Sequence, residues 1–330
     1  MSISIAQRTP CFAIRRSAIV VGWLLLGLSL MGCQKVKLTG LHDRLVPSNE
    51  RDWSPEVATV PRAEVNGPQF TLRNIRNCKY ASSEDFVVNY YDRQILIDQI
   101  RAVDFIVVPF NGVPKLAHTM MSFGLDDGSY LAVSVEVRKE RGEKFNAVKG
   151  FGNKFELIYV LSDERDVIRL RTRFRKSDVY VYPTVATPEQ AQTLFADVIT
   201  RVNKLAVEPE FYNSISNNCT TNIAGHVNQL SPDKITYGWK VLLPGLSAEY
   251  AYELGLLDNR VPFEDLKSTA LINELAETNF DDPLFSQKIR SRRSRIEQYL
   301  VRQSKRESTM TARGDEFLQS QKRSLGGIIR

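Results

Sequence analysis

The residue best suited to covalent chemistry in this sequence is Cys219, in the segment 211–230, FYNSISNNCTTNIAGHVNQL. Asn217 and Asn218 precede it, and both are residue types that cap a helix N-terminus. Apolar residues then recur at the spacing of one buried helical face: Ile223, Val227 and Leu230. Backbone N–H groups at a helix start favour an anion, which predicts a nucleophilic thiolate and oxyanion donors beside Asn218 and Thr220. The alternative is that Cys219 is a small buried hydrophobic residue, which is a common role of free cysteine.

A cysteine nucleophile needs a base, and the sequence contains three histidines. His42 lies in a proline-rich segment that predicts a tether. His226 is seven residues along the Cys219 helix, which places it ~10 Å away at 1.5 Å rise per residue. The predicted base is therefore His118. The alternative is that His118 is a satisfied core histidine or half of a cross-strand ion pair.

His118 lies in a predicted β-hairpin, Leu116 to Val137, with Asp127-Gly128 at its turn. A three-residue loop with Gly128 in the left-handed conformation gives one apolar face. That face consists of three cross-strand pairs: Phe123–Leu131, Met121–Val133 and Thr119–Val135. The same register places His118 opposite Glu136 on the other face, within cross-strand reach. Glu136 is therefore predicted to orient the imidazole, with Ser134 as the alternative third member.

The remaining elements are predicted from apolar patterns and capping residues. Further strands are predicted at Phe70–Tyr80, Val103–Phe110, Phe155–Leu161 and Val179–Tyr182. Thr187-Pro188-Glu189-Gln190 is a capping box that opens an amphipathic helix, and Glu208-Pro209 ends it. The arginines of 169–173 are interpreted as a solvated strand face, with binding of an anion as the alternative.

The N-terminus predicts a lipoprotein signal rather than part of the fold. Arg15-Arg16 precede a short apolar stretch that ends in Leu30-Met31-Gly32-Cys33. This ending resembles a bacterial lipobox, so we expect a signal peptide over 1–32, lipidation of Cys33 and a tether over 33–68. Gln34, in place of Asp, favours the outer over the inner membrane. The alternatives are an ordinary cleaved signal or an anchor helix.

Cysteine usage and charge limit the remaining partners. Cys11 would be removed with the signal and Cys33 lipidated, so only Cys78 and Cys219 remain in the folded part, and a disulfide between them is possible in an oxidising compartment. No Cys/His cluster indicates a metal site, and no cofactor is expected. The net charge is +6, and from Lys288 to the end twelve Lys/Arg stand against four Asp/Glu. The predicted tail, 291–330, is therefore basic. Anionic lipid or lipopolysaccharide is a better partner for it than nucleic acid, and a solvated tail without a partner is the alternative.

Dispersed motifs between Phe70 and Arg290 resemble the Lnb-type N-terminal periplasmic domain family. The matching motifs include Ala117-His118-Thr119, Ser122-Phe123-Gly124, Ser134-Val135-Glu136, Tyr212-Asn213, Asn217-Asn218-Cys219-Thr220-Thr221-Asn222 and Leu242-Leu243-Pro244-Gly245. The resemblance implies an α+β fold over 69–290: a circularly permuted papain-like, NlpC-type domain with an antiparallel sheet packed against helices. It also implies that the histidine precedes the cysteine, as His118 precedes Cys219. The best-described members are integral membrane proteins that move an acyl chain of a lipoprotein from its lipid-modified cysteine onto the amino group of that residue.

Two classes of function follow from these residues. The first is a thiol acyltransferase or hydrolase of the cell envelope, facing the periplasm, with Cys219 as nucleophile, His118 as base and an acyl lipid or lipoprotein as substrate. A cell-wall peptidase would use the same residues, and an apolar groove beside Met120 would favour acyl chains over peptides. The second class is a non-catalytic scaffold or binding protein, in which Cys219 is buried and unreactive or is bonded to Cys78.

Overall fold

An eight-stranded sheet forms the centre of the structure, a computed structural model that describes residues 46–143, 154–230 and 235–300 except 295, 297 and 299. Its strands are β1 Arg62–Asn66, β2 Gln69–Arg76, β5 Tyr90–Leu96, β6 Ile100–Phe110, β7 Val113–Leu125, β8 Tyr130–Arg138, β9 Glu156–Asp163 and β10 Tyr180–Pro183. They lie in the order β1-β2-β9-β8-β7-β6-β10, with β5 also on β2. Every pairing is antiparallel except the short β2–β9 contact. Strands β3 Lys79–Tyr80 and β4 Phe86–Val87 form a separate pair.

Helices follow or interrupt the strands. They are α1 Pro55–Ala58, α2 Glu164–Arg169, α3 Pro188–Val207, α4 Cys219–Leu230, α5 Trp239–Leu242, α6 Ser247–Glu253, α7 Phe263–Ala270, α8 Asn273–Thr278 and α9 Phe285–Lys288. A π-turn, Leu170–Phe174, continues α2, and 3₁₀ turns lie at Ile97–Gln99 and Pro244–Leu246. The predicted capping box is confirmed at the start of α3. The Thr187 hydroxyl accepts from Gln190 N–H, and the Gln190 side chain accepts from Thr187 N–H.

Helices cover both faces of the sheet. On one face, α3 and α4 bury their apolar rows against the strands, with Phe195 edge-on to both Phe70 and Phe123. On the other face, α2, α8 and α9 pack against Ile106 and Met120. The fold is therefore α+β, with a mostly antiparallel sheet against helices, as predicted. The circular permutation stays a prediction.

The predicted hairpin register is confirmed. Leu125 N–H donates to Ser129 across a three-residue loop, and Gly128 has φ +80°, which a glycine adopts without strain. The β7–β8 pairs include Phe123–Leu131, Met121–Val133 and Met120–Ser134. The ladder ends at this last pair, after which β7 continues on β6 and β8 continues on β9. The two strands therefore diverge before the position where His118 would pair with Glu136.

Part of the predicted N-terminal tether lies in the described residues and packs on the sheet. Strand β1 pairs with β2 over its whole length, and Trp53 is buried beneath the Arg138 guanidinium, 4.3 Å from its ring centroid. The described residues from 47 onward thus belong to the same compact unit as the sheet, and the prediction of a tether up to residue 68 is wrong for them. The predicted signal, Cys33 and the rest of the tether lie outside the described residues.

The fold also extends past the predicted C-terminal boundary at residue 291. Arg292 and Arg293 make ion pairs with Glu274 and Asp104. Residues 301–330 of the predicted tail lie outside the described part of the chain. Within the described ranges, none of the helices has the length and apolar character needed to cross a membrane.

Candidate active site

Helix α4 begins at Cys219, and the local sequence explains why. The Asn218 side chain accepts a hydrogen bond from Thr221 N–H at 3.0 Å, and the Thr221 hydroxyl accepts one from Asn218 N–H at 2.8 Å. Two of the free donors at the helix start are thereby satisfied. Asn217 instead bonds to Glu210 and to the carbonyl of Phe211. Asn218 is therefore the cap that fixes the position of the thiol, which is 5% exposed.

Two backbone N–H donors in the first turn of α4 are available to a ligand. In the described part of the chain, no protein acceptor takes the N–H of Cys219 or of Thr220. Both lie at the positive end of the helix, where an oxyanion formed at the thiol would be stabilised. The Thr220 hydroxyl lies 3.2 Å from that of Thr119, which ties this turn to β7. The supporting role of Thr220 stays a prediction.

His118 is held by a hydrogen-bond chain that ends at a carboxylate. Its Nε2 lies 2.8 Å from the Ser134 hydroxyl, which donates to Glu136 Oε1 at 2.8 Å. Since the Ser134 proton is committed to Glu136, Ser134 must accept from His118 Nε2–H. The Nδ1 atom of His118 then carries a lone pair, as a general base requires. The predicted direct contact between His118 and Glu136 is wrong, because the strands diverge and Ser134 lies between them.

The same divergence brings the cysteine and the histidine to one cavity. A cavity of about 270 Å³ opens where β7 and β8 separate, and Cys219, His118 and Glu136 all line it. No hydrogen bond joins Cys219 to His118 in the described residues, and the thiol sulfur lies 3.8 Å from the Thr220 hydroxyl. Cys219 and Cys78 are both free. The chain therefore keeps a buried thiol and an oriented imidazole in one cavity.

Two buried arginines hold Glu136. Arg171 Nη2 lies 3.3 Å from one carboxylate oxygen and Arg76 Nη1 lies 3.7 Å from the other. Arg171 is 4% exposed, so the interpretation of this arginine cluster as a solvated strand face is wrong for Arg171. Asp163 caps a helix here, and the π-turn that follows directs Arg171 inward. The acidic first turn after Asp163 was the sequence signal for a helix start.

The arginines set the charge state of the site. Burial disfavours the charged form of Glu136, but Arg76 and Arg171 outweigh it and hold the pKa of Glu136 well below its usual range. Burial, reinforced by Arg171, lowers the pKa of His118 to about 3, although Glu136 opposes the shift. His118 is therefore neutral at physiological pH. It is a proton acceptor rather than the imidazolium of a preformed ion pair.

Tyr212 and Arg76 belong to the site although the sequence did not single them out as site residues. Tyr212 lines the cavity, and burial together with the adjacent Cys219 raises the pKa of its hydroxyl above the usual range. Arg76 is buried at the end of β2, where it also pairs with Asp166. The sequence gives no signal that would single out Arg76, because the same strand also contains Arg73.

Cys78 lies in a different environment. Its backbone N–H donates to Asp166 at 2.6 Å, within a buried cluster that also holds Arg76 and Tyr80. Burial, with a contribution from Asp166, raises the pKa of the Cys78 thiol to about 11. Cys78 is therefore a poor nucleophile at neutral pH. Within the described ranges, no group of three or more His, Cys, Asp or Glu side chains is placed to hold a metal ion.

Neutral buried histidines make the free energy of unfolding depend on pH. Burial lowers the pKa of His226 despite its hydrogen bond to Asp197, and the pKa of His118 is lowered to about 3. Below the unfolded value of about 6.5, the unfolded chain binds protons that the folded chain does not, so stability falls as pH falls. The expected loss is at most about 1.4 kcal/mol per histidine for each pH unit. Urea unfolding at pH 7.5 and 5.5 measures it, and an equal loss in the His118→Gln/His226→Gln variant would contradict this assignment.

The fold and the site together define an α+β domain with a cysteine and a histidine in one cavity. Residues 87–245 match the sequence model of the Lnb N-terminal periplasmic domain family. The chain therefore carries a domain of this family, and the matched segment contains His118, Ser134, Glu136 and Cys219. A periplasmic domain fits a location in the cell envelope. No curated protein and no solved structure matches the chain.

Proposed function

We propose that this protein is a lipid-anchored thiol acyltransferase or hydrolase of the cell envelope. Cys219 is its nucleophile, the lipobox ending at Cys33 supports the lipid anchor, and Gln34, in place of Asp, supports an outer-membrane location. The observation that carries the proposal is the chain Glu136–Ser134–His118, which leaves a lone pair on Nδ1 of a histidine that lines the same cavity as Cys219. A histidine with a purely structural role would not need its Nε2–H fixed by Ser134 in a cavity that a thiol also lines.

The reaction follows from these atoms. The Cys219 sulfur attacks the acyl carbonyl carbon while its proton passes to His118 Nδ1. The N–H groups of Cys219 and Thr220 stabilise the tetrahedral oxyanion. His118 then returns the proton to the leaving alcohol or amine, and a thioester remains on Cys219. An amine or water takes the acyl group in the second half, with His118 accepting its proton and the thiol regained at the end.

A second cavity favours acyl chains over peptides. It measures about 90 Å³, lies on the other side of the first turn of α4 and has an almost wholly apolar lining. Thr220, Ile223 and Met121 contribute to its wall. Met120, which was predicted to lie beside the groove, is buried in the core on the opposite face of the sheet. An apolar lining one residue from the nucleophile suits a short hydrocarbon segment better than a peptide group.

The test is to look for the thioester itself. The full chain is incubated with a diacylated lipopeptide or with phospholipid vesicles, and its intact mass is measured before and after neutral hydroxylamine. We expect one acyl group on the wild type, released by hydroxylamine, and none on Cys219→Ala. Cys78→Ala is the matched control and should acylate like the wild type. A wild type that never acquires an acyl group, or a Cys219→Ala variant that does, would contradict the proposal, and the first outcome would leave a non-catalytic scaffold.

A further inference from the structure

Exposed apolar side chains are concentrated around the mouth of the Cys219 cavity. Of the 13 large hydrophobic side chains exposed in the described part of the chain, six lie in three neighbouring segments. We call these six the rim: Phe110, Val113, Ile215, Tyr237, Trp239 and Leu242. Phe110 and Leu242 line the cavity itself, and Trp239 is 61% exposed. Scattered exposed apolar residues need no explanation, but a contiguous patch marks an interaction site.

Contacts between the three segments make the rim one surface. Phe110 and Val113 pair across the β6–β7 turn. Gly245 lies so close to this turn that a Cβ atom there would be 2.0 Å from the carbonyl oxygen of Pro114. The Tyr237 hydroxyl donates to the carbonyl of Ile215, which joins the third segment. The rim is therefore continuous around one side of the cavity.

Cations flank the rim. Lys115 follows Val113 on β7, and Arg175 and Lys176 are linked to the β6–β7 turn by a hydrogen bond from Asn111 to the carbonyl of Arg175. All three are exposed, and among the described residues none of them forms an ion pair. The surface thus combines aromatic and aliphatic side chains with free positive charge.

We propose that the rim docks the domain on an anionic lipid bilayer, with the mouth of the Cys219 cavity facing the headgroups. Trp and Tyr prefer the level of the headgroups, and apolar side chains with adjacent Lys and Arg are typical of surfaces that lie in the bilayer interface. Each cation near an anionic leaflet adds favourable energy. A protein partner is the other outcome of the test, and it would leave the emission of Trp239 unchanged by brominated lipid. The inference concerns the surface alone and does not depend on the chemistry of the thiol.

Trp239 allows a direct test. The full chain is reconstituted in vesicles that contain phosphatidylglycerol, with plain or brominated acyl chains, and tryptophan emission is compared. All proteins carry Trp23→Phe and Cys219→Ser, and the difference from a Trp239→Phe variant gives the emission of Trp239. We expect brominated lipid to reduce that emission about twofold, because the rim inserts at the headgroup boundary. Trp53, which is buried, should keep its emission and reports that the fold is intact.

The matched control separates docking from tethering at the N-terminus. Val207 is 77% exposed at the end of α3 and lies outside the rim. The variant Val207→Trp, made in the Trp239→Phe background, therefore places a tryptophan at an exposed site away from the rim. Its chain has the same N-terminal anchor as the wild type. Its emission should not change with brominated lipid. Quenching of Trp239 no greater than that of Val207→Trp would overturn the proposal. Equal quenching of Trp239 in vesicles of phosphatidylcholine alone would overturn the requirement for anionic lipid.

Discussion

Replacing His118 with glutamine is expected to slow acylation of Cys219 by about 10² to 10⁴-fold, the usual loss when a general base is removed. Glutamine preserves much of the size of the side chain and can still donate to Ser134. It offers no basic nitrogen at the position of Nδ1, so the thiol proton has no acceptor. The measurement is the single-turnover rate of thioester formation, followed by intact mass at pH 7.5.

His226 supplies the matched control. It is the second histidine in the described part of the chain, and it bonds to Asp197 and Tyr159, away from the Cys219 cavity. His226→Gln should therefore acylate within about twofold of the wild type. Ser134→Ala should lie between the two, since it frees the imidazole to adopt the wrong tautomer without removing it. Equal acylation rates for His118→Gln and His226→Gln would show that His118 is not the general base.

The pH–rate profile adds a signature that a purely structural histidine would not produce. The pKa of His118 is about 3 in the folded chain. Loss of the base form should therefore appear only well below pH 5, not near the ordinary value of about 6.5. An acidic limb centred near 6.5 would mean that another group is the base, or that the site rearranges when the acyl donor binds.

Local pattern was enough to predict the two elements that carry the candidate site. The register of the β7–β8 hairpin follows from alternation, because a slip by one residue would turn Met121 and Phe123 out of the core. The start of α4 follows from Asn218, whose cap needs only the next three residues. Both features depend on neighbours in sequence, and both are present in the structure.

The parts that could not be predicted depend on distant segments. Ser134 replaces Glu136 as the partner of His118 because β7 and β8 separate, β7 to pair with β6 and β8 to pair with β9. Where they separate depends on the pairing of all four strands and not on the hairpin sequence alone. Strand β1 buries one of its five residues, so it carries no alternating pattern to distinguish it from a tether. Arg171 could be placed only once the π-turn after α2 was known.

The largest expected effect on stability comes from Arg290, at the C-terminal end of the predicted domain. Its guanidinium donates to Asp104 at 2.7 Å and to Glu164, and it lies 3.3 Å above the ring of Tyr130. Asp104 and Glu164 are almost fully buried, and Ser122 also donates to Glu164 at 2.6 Å. Arg290 thus pairs with two buried carboxylates, one of which, Asp104, also pairs with Arg293, and it fastens the C-terminal segment to the sheet across 186 residues.

Arg290→Leu should lower the free energy of unfolding by about 3 to 5 kcal/mol, because among the described residues it leaves Glu164 buried without a partner charge and leaves Asp104 only its ion pair with the partly exposed Arg293. Urea unfolding at pH 7.5 measures the loss. Arg292→Leu is the control: Arg292 pairs with the exposed Glu274, so its loss should be under about 1 kcal/mol. Adding Asp104→Asn and Glu164→Gln to Arg290→Leu should recover part of the stability, since neutral side chains cost less to bury than unpaired carboxylates. Similar losses for Arg290→Leu and Arg292→Leu would show that the segment after α9 is not fastened to the sheet by this network.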